Sequence, residues 1–273
     1  EQVNVVNIVG DIMARRLLDA FEERSPVDVS SLRTVASGGA PLSDAVKIRF
    51  GAALPEVTLK DSFGSSETGV HGWSVHRRGS NPAARFVTVD TVVLEPDRLV
   101  PLPPGSRQPG VIARCGRVPL RYRRDPVKSA ATFVTVGAQR CALTGDLGRL
   151  DADGTLVVLG RASQCINTGG EKVHPEEVEA VVRRHPGVED AVGVAAPDPV
   201  WGHQVVAVVQ PVCGDRPSED EIRNHCREAL ADYKIPRRIV WVAEVVRSPA
   251  GKADYRWAAA VAGAGAAPVG GQR

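Results

Sequence analysis

From Asp11 to Arg24, apolar Ile12, Leu17, Leu18 and Phe21 recur at roughly helical spacing, and Asp11 stands where an N-cap would. Leu32–Ala36 reads as a short strand that stops at Gly38-Gly39. A helix is predicted from Ser43 to Phe50 after Pro41, and another strand at Val57–Leu59. Strands that end in glycine-rich loops before helices predict a parallel α/β layer, with its ligand sites at the strand C-termini. Past residue 76 the helical periodicity weakens. Short β-rich runs (Phe86–Leu94, Gly110–Arg114, Thr155–Leu159) alternate with proline and glycine, and Pro101–Gly105 is a turn or linker. Asp151-Ala-Asp-Gly154 between two such runs is a hairpin signal.

Helical spacing returns at Pro175–Arg184, where Pro175 suits the first turn, Glu176 and Glu177 suit the positive end of the dipole, and Val178, Val181 and Val182 share a face. Strands are predicted at Val188–Val194, Val205–Val212 and Arg238–Val242, with a short one near Cys165-Ile166. Ser218-Glu-Asp-Glu221 is a capping box opening a helix to about Ala231. The predicted fold class is therefore α/β in three parts. Residues 1–76 form a partial α/β sheet subdomain, 77–160 a small antiparallel β-barrel-like subdomain, and 161–257 a C-terminal β-α-β-β-α-β domain with helices on one sheet face. The Ala/Gly-rich tail 258–273 is expected to be disordered.

Composition narrows the function classes. The chain has 273 residues, 43% hydrophobic and 24% charged, with a net charge of +2. That balance gives no reason to expect nucleic acid as a partner. No apolar run approaches the ~20 residues that span a bilayer, and the N-terminal residues lack a charged-then-apolar leader pattern. Cys115, Cys141, Cys165, Cys213 and Cys226 include no C-x-x-C pair and are expected to be free thiols in a reducing cytoplasm. The six histidines show no metal-ligand spacing. The first residue is Glu1 and the only methionine is Met13, so a longer parent polypeptide is expected.

Candidate chemistry gathers at four places. Ser37-Gly38-Gly39-Ala40-Pro41-Leu42 could let a flat base lie against the backbone, or could be an ordinary strand-to-helix turn. In Asp61–Gly69, Phe63 beside Gly64 could stack on a base, Ser66 could bond a phosphate oxygen and Glu67 could hold Mg2+; the alternative is a polar turn with a solvated glutamate. Asp146 can grip both hydroxyls of a ribose, or merely cap its own turn, and Arg161 can return to it across the hairpin. Asn167-Thr-Gly-Gly-Glu-Lys172 contains no G-x-x-x-x-G-K-[ST] phosphate cradle, and Lys252 by itself reads as a solvated lysine.

Taken together, and with Arg121-Tyr-Arg-Arg-Asp-Pro126 and Ala130-Ala-Thr-Phe133, these motifs resemble the adenylate-forming acyl-CoA synthetases, and within them the bacterial fatty-acyl-CoA ligases, up to about Trp257. Arg121 stands where the family pattern has glycine, and Ser163 where it often has an acid or lysine. The resemblance implies that Gly38, Gly39 and Ala40 line an adenine pocket with Phe63 and Gly64, that Ser66 contacts phosphate and that Glu67 binds Mg2+. It implies Asp146 and Arg161 at the ribose and α-phosphate, a hinge at Arg161–Ser163, Lys252 as the catalytic cation of adenylation, and Gly169-Gly170 facing the pantetheine tunnel. ATP, Mg2+, CoA and a carboxylic acid, fatty or related, would be the ligands. His71-Gly72-Trp73 is the stretch placed to touch the acyl group. The family's Ser/Thr/Gly-rich loop ending in Pro-Lys-Gly is not in this sequence. It is expected in an N-terminal half beyond this chain, without which the chain would be inactive. The other readings are a non-catalytic binding or regulatory product and a ligase that delivers to a carrier protein.

Overall fold

A computed structural model describes residues 2–23, 28–83, 85–213, 216–248 and 251–264. Two compact units divide the chain, Glu1–Ala162 and Ser163–Arg273. Predicted features at Arg24 and in 265–273 lie outside the described residues.

The first unit opens with β1 (Val5–Ile8), α1 (Gly10–Glu23), β2 (Thr34–Gly38), α2 (Asp44–Ala53), β3 (Thr58–Ser65), β4 (Gly69–His76) and β5 (Val87–Thr88). These strands form one sheet in sequence order. β1, β2 and β3 are parallel; β4 and β5 run antiparallel. The layer is therefore mixed rather than parallel. The chain reverses because the turn after β3 closes tightly, with the Thr68 amide donating to the Ser65 carbonyl at 3.3 Å and Gly69 at φ 62°. β3 also runs six residues beyond the predicted Leu59, so Asp61–Ser65 is strand, not loop. Leu18, Val35, Phe50 and Leu59 pack α1 and α2 on the sheet. Full burial of such side chains stabilises by about 1.5–3 kcal/mol each. Ser43 caps α2, its hydroxyl accepting from the Val46 amide at 3.4 Å.

A second sheet follows: β6 (Thr91–Leu94), β7 (Gly110–Cys115), α3 (Pro126–Thr132), β8 (Phe133–Val136), β9 (Gln139–Leu150) and β10 (Leu156–Arg161). Its order is β10-β9-β7-β6 with β8 also on β9, all antiparallel. Alternate residues feed two cores, Val93 and Ile112 on one side, Leu94 and Ala113 on the other. Helix α3 inside the Arg121–Phe133 segment was not predicted; Asp125 caps it and Pro126 opens it. The expectation of five free thiols is corrected here. Cys115 and Cys141 face each other on β7 and β9 and are joined in a disulfide, whereas Cys165, Cys213 and Cys226 are free. Pairing was invisible in the sequence because strand register, not spacing, brings the two together.

The second unit comprises β11 (Ile166–Thr168), β12 (Glu171–Val173), α4 (Pro175–Val182), β13 (Val188–Asp198), β14 (Gly202–Pro211), α5 (Glu219–Arg227), β15 (Arg238–Trp241) and α6 (Tyr255–Ala264). β13-β14-β15 form its sheet, while β11 and β12 make a separate hairpin. The predicted capping box is present: Ser218 Oγ accepts from the Glu221 amide and Glu221 accepts from the Ser218 amide. Helix α5 ends at Arg227, four residues short of the expected Ala231. Helices cover both sheet faces, not one. Ala191, Val205, Ala207 and Val209 pack with α4 and α5, and Val192, Val194, Val206 and Val208 pack with α6. Hence Ala258–Ala264, expected to be disordered, is helix, anchored by fully buried Ala258 and Ala262. Among the described residues no helix is long and apolar enough to cross a membrane.

Candidate functional site

In the first unit the expected base-binding loop leaves β2 at Gly38, whose backbone is paired with Ser62 of β3, one residue before Phe63. Gly38, the last residue of β2, therefore lies one residue away in register from Phe63, near the end of β3. Gly39 has φ 85°, a conformation glycine takes without penalty. The loop is braced from the β1–α1 junction. The Gly10 amide donates to Ser37 Oγ at 3.1 Å, the Asp11 amide to the Pro41 carbonyl at 3.2 Å, and the Ser43 amide to Asp11 Oδ1 at 2.7 Å. Asp11 sits in the first turn of α1 rather than as its N-cap, and it fastens the loop. Gly10 itself is at φ 57° with an added Cβ falling 2.8 Å from Ala40 Cβ and from the Pro41 carbonyl oxygen. The sequence offered only a lone glycine before a helix as a sign of this.

Phe63 packs its ring against His71 at 5.0 Å and Phe86 at 5.7 Å, so only part of it faces outward. Packing demands glycine at position 64, since a Cβ there would run into the Gly69 carbonyl where β3 and β4 pair irregularly. Ser66 is exposed at the turn. Glu67 is half-buried, and the Tyr122 hydroxyl donates to its Oε1 at 2.6 Å. That bond holds the Glu67 carboxyl below the usual range. Tyr122 is ordered in turn by its amide, which donates to Ser129 Oγ at 2.9 Å, and by Lys128 Nζ 4.2 Å from its ring centre. Tyr122 entered the sequence reading only within the Arg121–Pro126 motif, without a role, and Arg114, whose guanidinium donates to the Thr68 carbonyl, only as the end of a β-rich run. His71 is fully buried, with Nδ1 2.8 Å from Thr91 Oγ1; burial, and then the Arg114 charge, push its imidazole down to about 4. Gly72 is packed against Phe86 and Thr88.

Asp146 and Arg161 come together as the hairpin predicted. They are register partners on β9 and β10, with Arg161 Nε 3.3 Å from Asp146 Oδ1. A bulge makes this possible. Val158 pairs with Gly148 but Gly160 with Leu147, leaving Leu159 as the extra residue. Without it, Gly160 would face Asp146. The Asp146 amide donates to Thr144 Oγ1 at 3.1 Å, and Gly145 takes φ 77°. The boundary between the two compact units falls just beyond, between Ala162 and Ser163.

In the second unit, Gly169 and Gly170 form the β11–β12 turn at φ 58° and 90°. The Gly169 amide donates to the Trp201 carbonyl at 3.0 Å, and a Cβ at Gly169 would lie 2.6 Å from the Trp201 ring. Lys252 stands in the loop between β15 and α6, its amide donating to Ser248 Oγ at 3.2 Å. Among the described residues no three His, Cys, Asp or Glu side chains gather to hold a metal. Glu67 could offer a hard cation one carboxylate oxygen ligand.

A partly outward aromatic, glycine-lined strand ends, an acid–arginine pair and a carboxylate held below its usual range are groups whose chemistry could serve a nucleotide. Residues 1–116 match the AMP-binding enzyme family and residues 177–252 the AMP-binding enzyme C-terminal domain. The chain belongs to that family. A medium/long-chain-fatty-acid–CoA/3-oxocholest-4-en-26-oate–CoA ligase of Mycobacterium marinum is 46% identical over 260 residues, covering 94% of this chain and 47% of the relative. A fatty acid–[acyl-carrier-protein] ligase, ScoC, of Streptomyces coeruleorubidus is 32% identical, covering 82% of this chain and 44% of that one. Among solved structures, the amide bond synthetase McbA of Marinactinospora thermotolerans superposes with a TM-score of 0.81 at 27% identity, over 95% of this chain and 53% of its own. The chain thus spans about half the length of the relatives it matches.

Proposed function

We propose that this chain supplies the nucleotide-gripping strand ends and the small catalytic domain of an ATP-dependent acid–thiol ligase. The enzyme would convert a carboxylic acid, fatty or related, to acyl-AMP and then to acyl-CoA. The observation that carries the reading is the placement of Gly38 one residue away in register from Phe63, in the same unit as the Asp146–Arg161 pair. The 46% identity to a fatty-acid–CoA ligase supports it.

In this reading adenine lies between the Gly38–Ala40 backbone and Phe63, beside Gly64. Asp146 accepts the ribose hydroxyls, Arg161 steadies ribose or α-phosphate, and Ser66 bonds a phosphate oxygen. Bound Mg2+, held by Glu67, would offset phosphate charge. The substrate carboxylate oxygen forms a bond to the α-phosphorus of ATP and the bond to pyrophosphate breaks. Lys252, a fixed ammonium, stabilises the negative charge that gathers there. Rotation about Arg161–Ser163 then exchanges Lys252 for Gly169-Gly170, along which the CoA thiol reaches the acyl carbon. The thiol loses its proton, sulfur bonds the acyl carbon and AMP leaves. The acyl group would touch His71-Gly72-Trp73. A Ser/Thr/Gly-rich loop for the β- and γ-phosphates would lie in an N-terminal half outside this chain. ATP and CoA as substrates support a cytoplasmic location; the Cys115–Cys141 disulfide points the other way.

The test is Lys252→Ala in the complete polypeptide that carries this chain. Carboxylate-dependent ATP–pyrophosphate exchange is expected to vanish while thioester formation from supplied acyl-AMP survives. Equal loss of both half-reactions would remove Lys252 from its role, and robust exchange by residues 1–273 alone would show that no further loop is needed. Likeness to ScoC favours one second reading, delivery to a carrier protein; offering CoA and a phosphopantetheinylated carrier side by side decides between them.

A further inference from the structure

The loop that carries Lys252 is held by charges that solvent barely reaches. Arg247 Nε lies 2.7 Å and Nη2 2.8 Å from the two oxygens of Asp190, a bidentate fork anchored on β13. Its Nη1 donates at 3.1 Å to the Gly251 carbonyl, the peptide group that leads directly into Lys252. The Arg247 and Asp190 side chains are only 14% and 18% exposed. Inside the loop, the Ser248 amide donates to the Lys252 carbonyl at 2.8 Å, the Gly251 amide to the Ser248 carbonyl at 2.8 Å, and Arg247 bridges to Ala253. Three residues beyond Lys252, the Tyr255 hydroxyl donates at 3.0 Å to Glu179 Oε1, which also accepts from the Gly193 amide at 3.0 Å. Both flanks of Lys252 are thereby tied to β13 and α4. Desolvation opposes the ionised Asp190, and the Arg247 guanidinium outweighs it, keeping the carboxyl below its ordinary range.

A buried ion pair adds little net stability over an apolar pair of the same shape. What it does supply is geometry, because a guanidinium fork fixes direction as well as distance. Two guanidinium nitrogens grip Asp190 and the third grips the Gly251 carbonyl, and a solvated lysine does not need its backbone fixed in that way. A lysine that must meet one phosphorus centre does.

We infer that Arg247, clamped by Asp190, is a positioning residue for Lys252: it fixes the backbone from which the ammonium reaches the α-phosphate. The inference rests on the adenylation role assigned to Lys252 above. A displacement of about 1 Å at such a group can lower the rate ~100-fold.

Two measurements test it. In the present chain, amide hydrogen exchange at Gly251–Asp254 is expected to quicken at least tenfold in Arg247→Ala and less in Arg247→Lys, which keeps the charge and loses the fork. In the complete polypeptide, Arg247→Ala is expected to lower kcat for ATP–pyrophosphate exchange about 10–100-fold. KM for ATP and thioester formation from supplied acyl-AMP should not change, and Arg247→Lys and Asp190→Asn should fall between. Parallel loss of both half-reactions, or unchanged exchange at Gly251–Asp254, overturns the inference. With Lys252→Ala measured alongside, the two readings separate. If Lys252→Ala silences adenylation and Arg247→Ala does not slow it, the clamp fails alone; if Lys252→Ala is harmless, the assignment beneath it fails.

Discussion

Replacing Gly10 by alanine tests whether the β1–α1 junction holds the base-binding loop. Gly10 lies at φ 57°, where an L side chain costs about 1–2 kcal/mol. Its new Cβ would also sit 2.8 Å from both Ala40 Cβ and the Pro41 carbonyl oxygen. Neither atom is the free end of a flexible side chain, so the Ala40-Pro41 segment must retreat. Overpacking of this kind costs about 1–3 kcal/mol. The sum is about 2–5 kcal/mol. Gly154→Ala is the internal control, since φ is 82° there and a Cβ would meet nothing within 4 Å. It should show the conformational cost alone. Urea unfolding followed by circular dichroism, with the first-unit transition assigned by hydrogen exchange, gives both numbers. A Gly10→Ala change no larger than Gly154→Ala would refute the bracing argument.

Two further outcomes are expected. His71, buried beside Arg114, should remain neutral until the pH nears 4. Its folded pKa lies below the unfolded value of 6.5, so its contribution to stability is present above pH 6.5 and is lost as the pH falls toward 4; an imidazole midpoint near 6.5 by NMR would contradict this. Tyr122→Phe removes the hydroxyl that keeps Glu67 ionised, so the Glu67 carboxyl should titrate at higher pH, and a side-chain carbon NMR titration that shows no upward shift would count against that bond.

Elements bounded by strong punctuation were legible in the sequence. Ser218 announced its helix through capping chemistry, Pro41 marked the start of the helix at Ser43, and Asp151–Gly154 announced its hairpin. Features that rest on register were not. The Cys115–Cys141 bond, the continuation of β3 through Asp61–Ser65 and the reversal into β4 all depend on which residue faces which across a ladder, and no local pattern states that. Helix α6 was missed because alanine and glycine carry a weak apolar signal, although Ala258 and Ala262 lie fully buried against β13 and β14. At the candidate site the acid–arginine pair was readable from a hairpin between two charges. Gly10, Arg114 and Tyr122 were not, because each acts on a motif far from it in sequence.

The bulge at Leu159 restricts how this segment can change over evolutionary time. Side chains alternate between sheet faces, so gaining one residue within Leu156–Gly160 would turn the arginine away from Asp146, whereas losing Leu159 would leave a regular ladder that still sets Arg161 opposite Asp146. Point substitutions at Val157 or Val158 leave that pairing intact, whereas a single-residue insertion in β10 does not. Insertions among descendants of this chain should therefore be scarce within Leu156–Gly160, and loss of Leu159 should be the deletion that this strand tolerates.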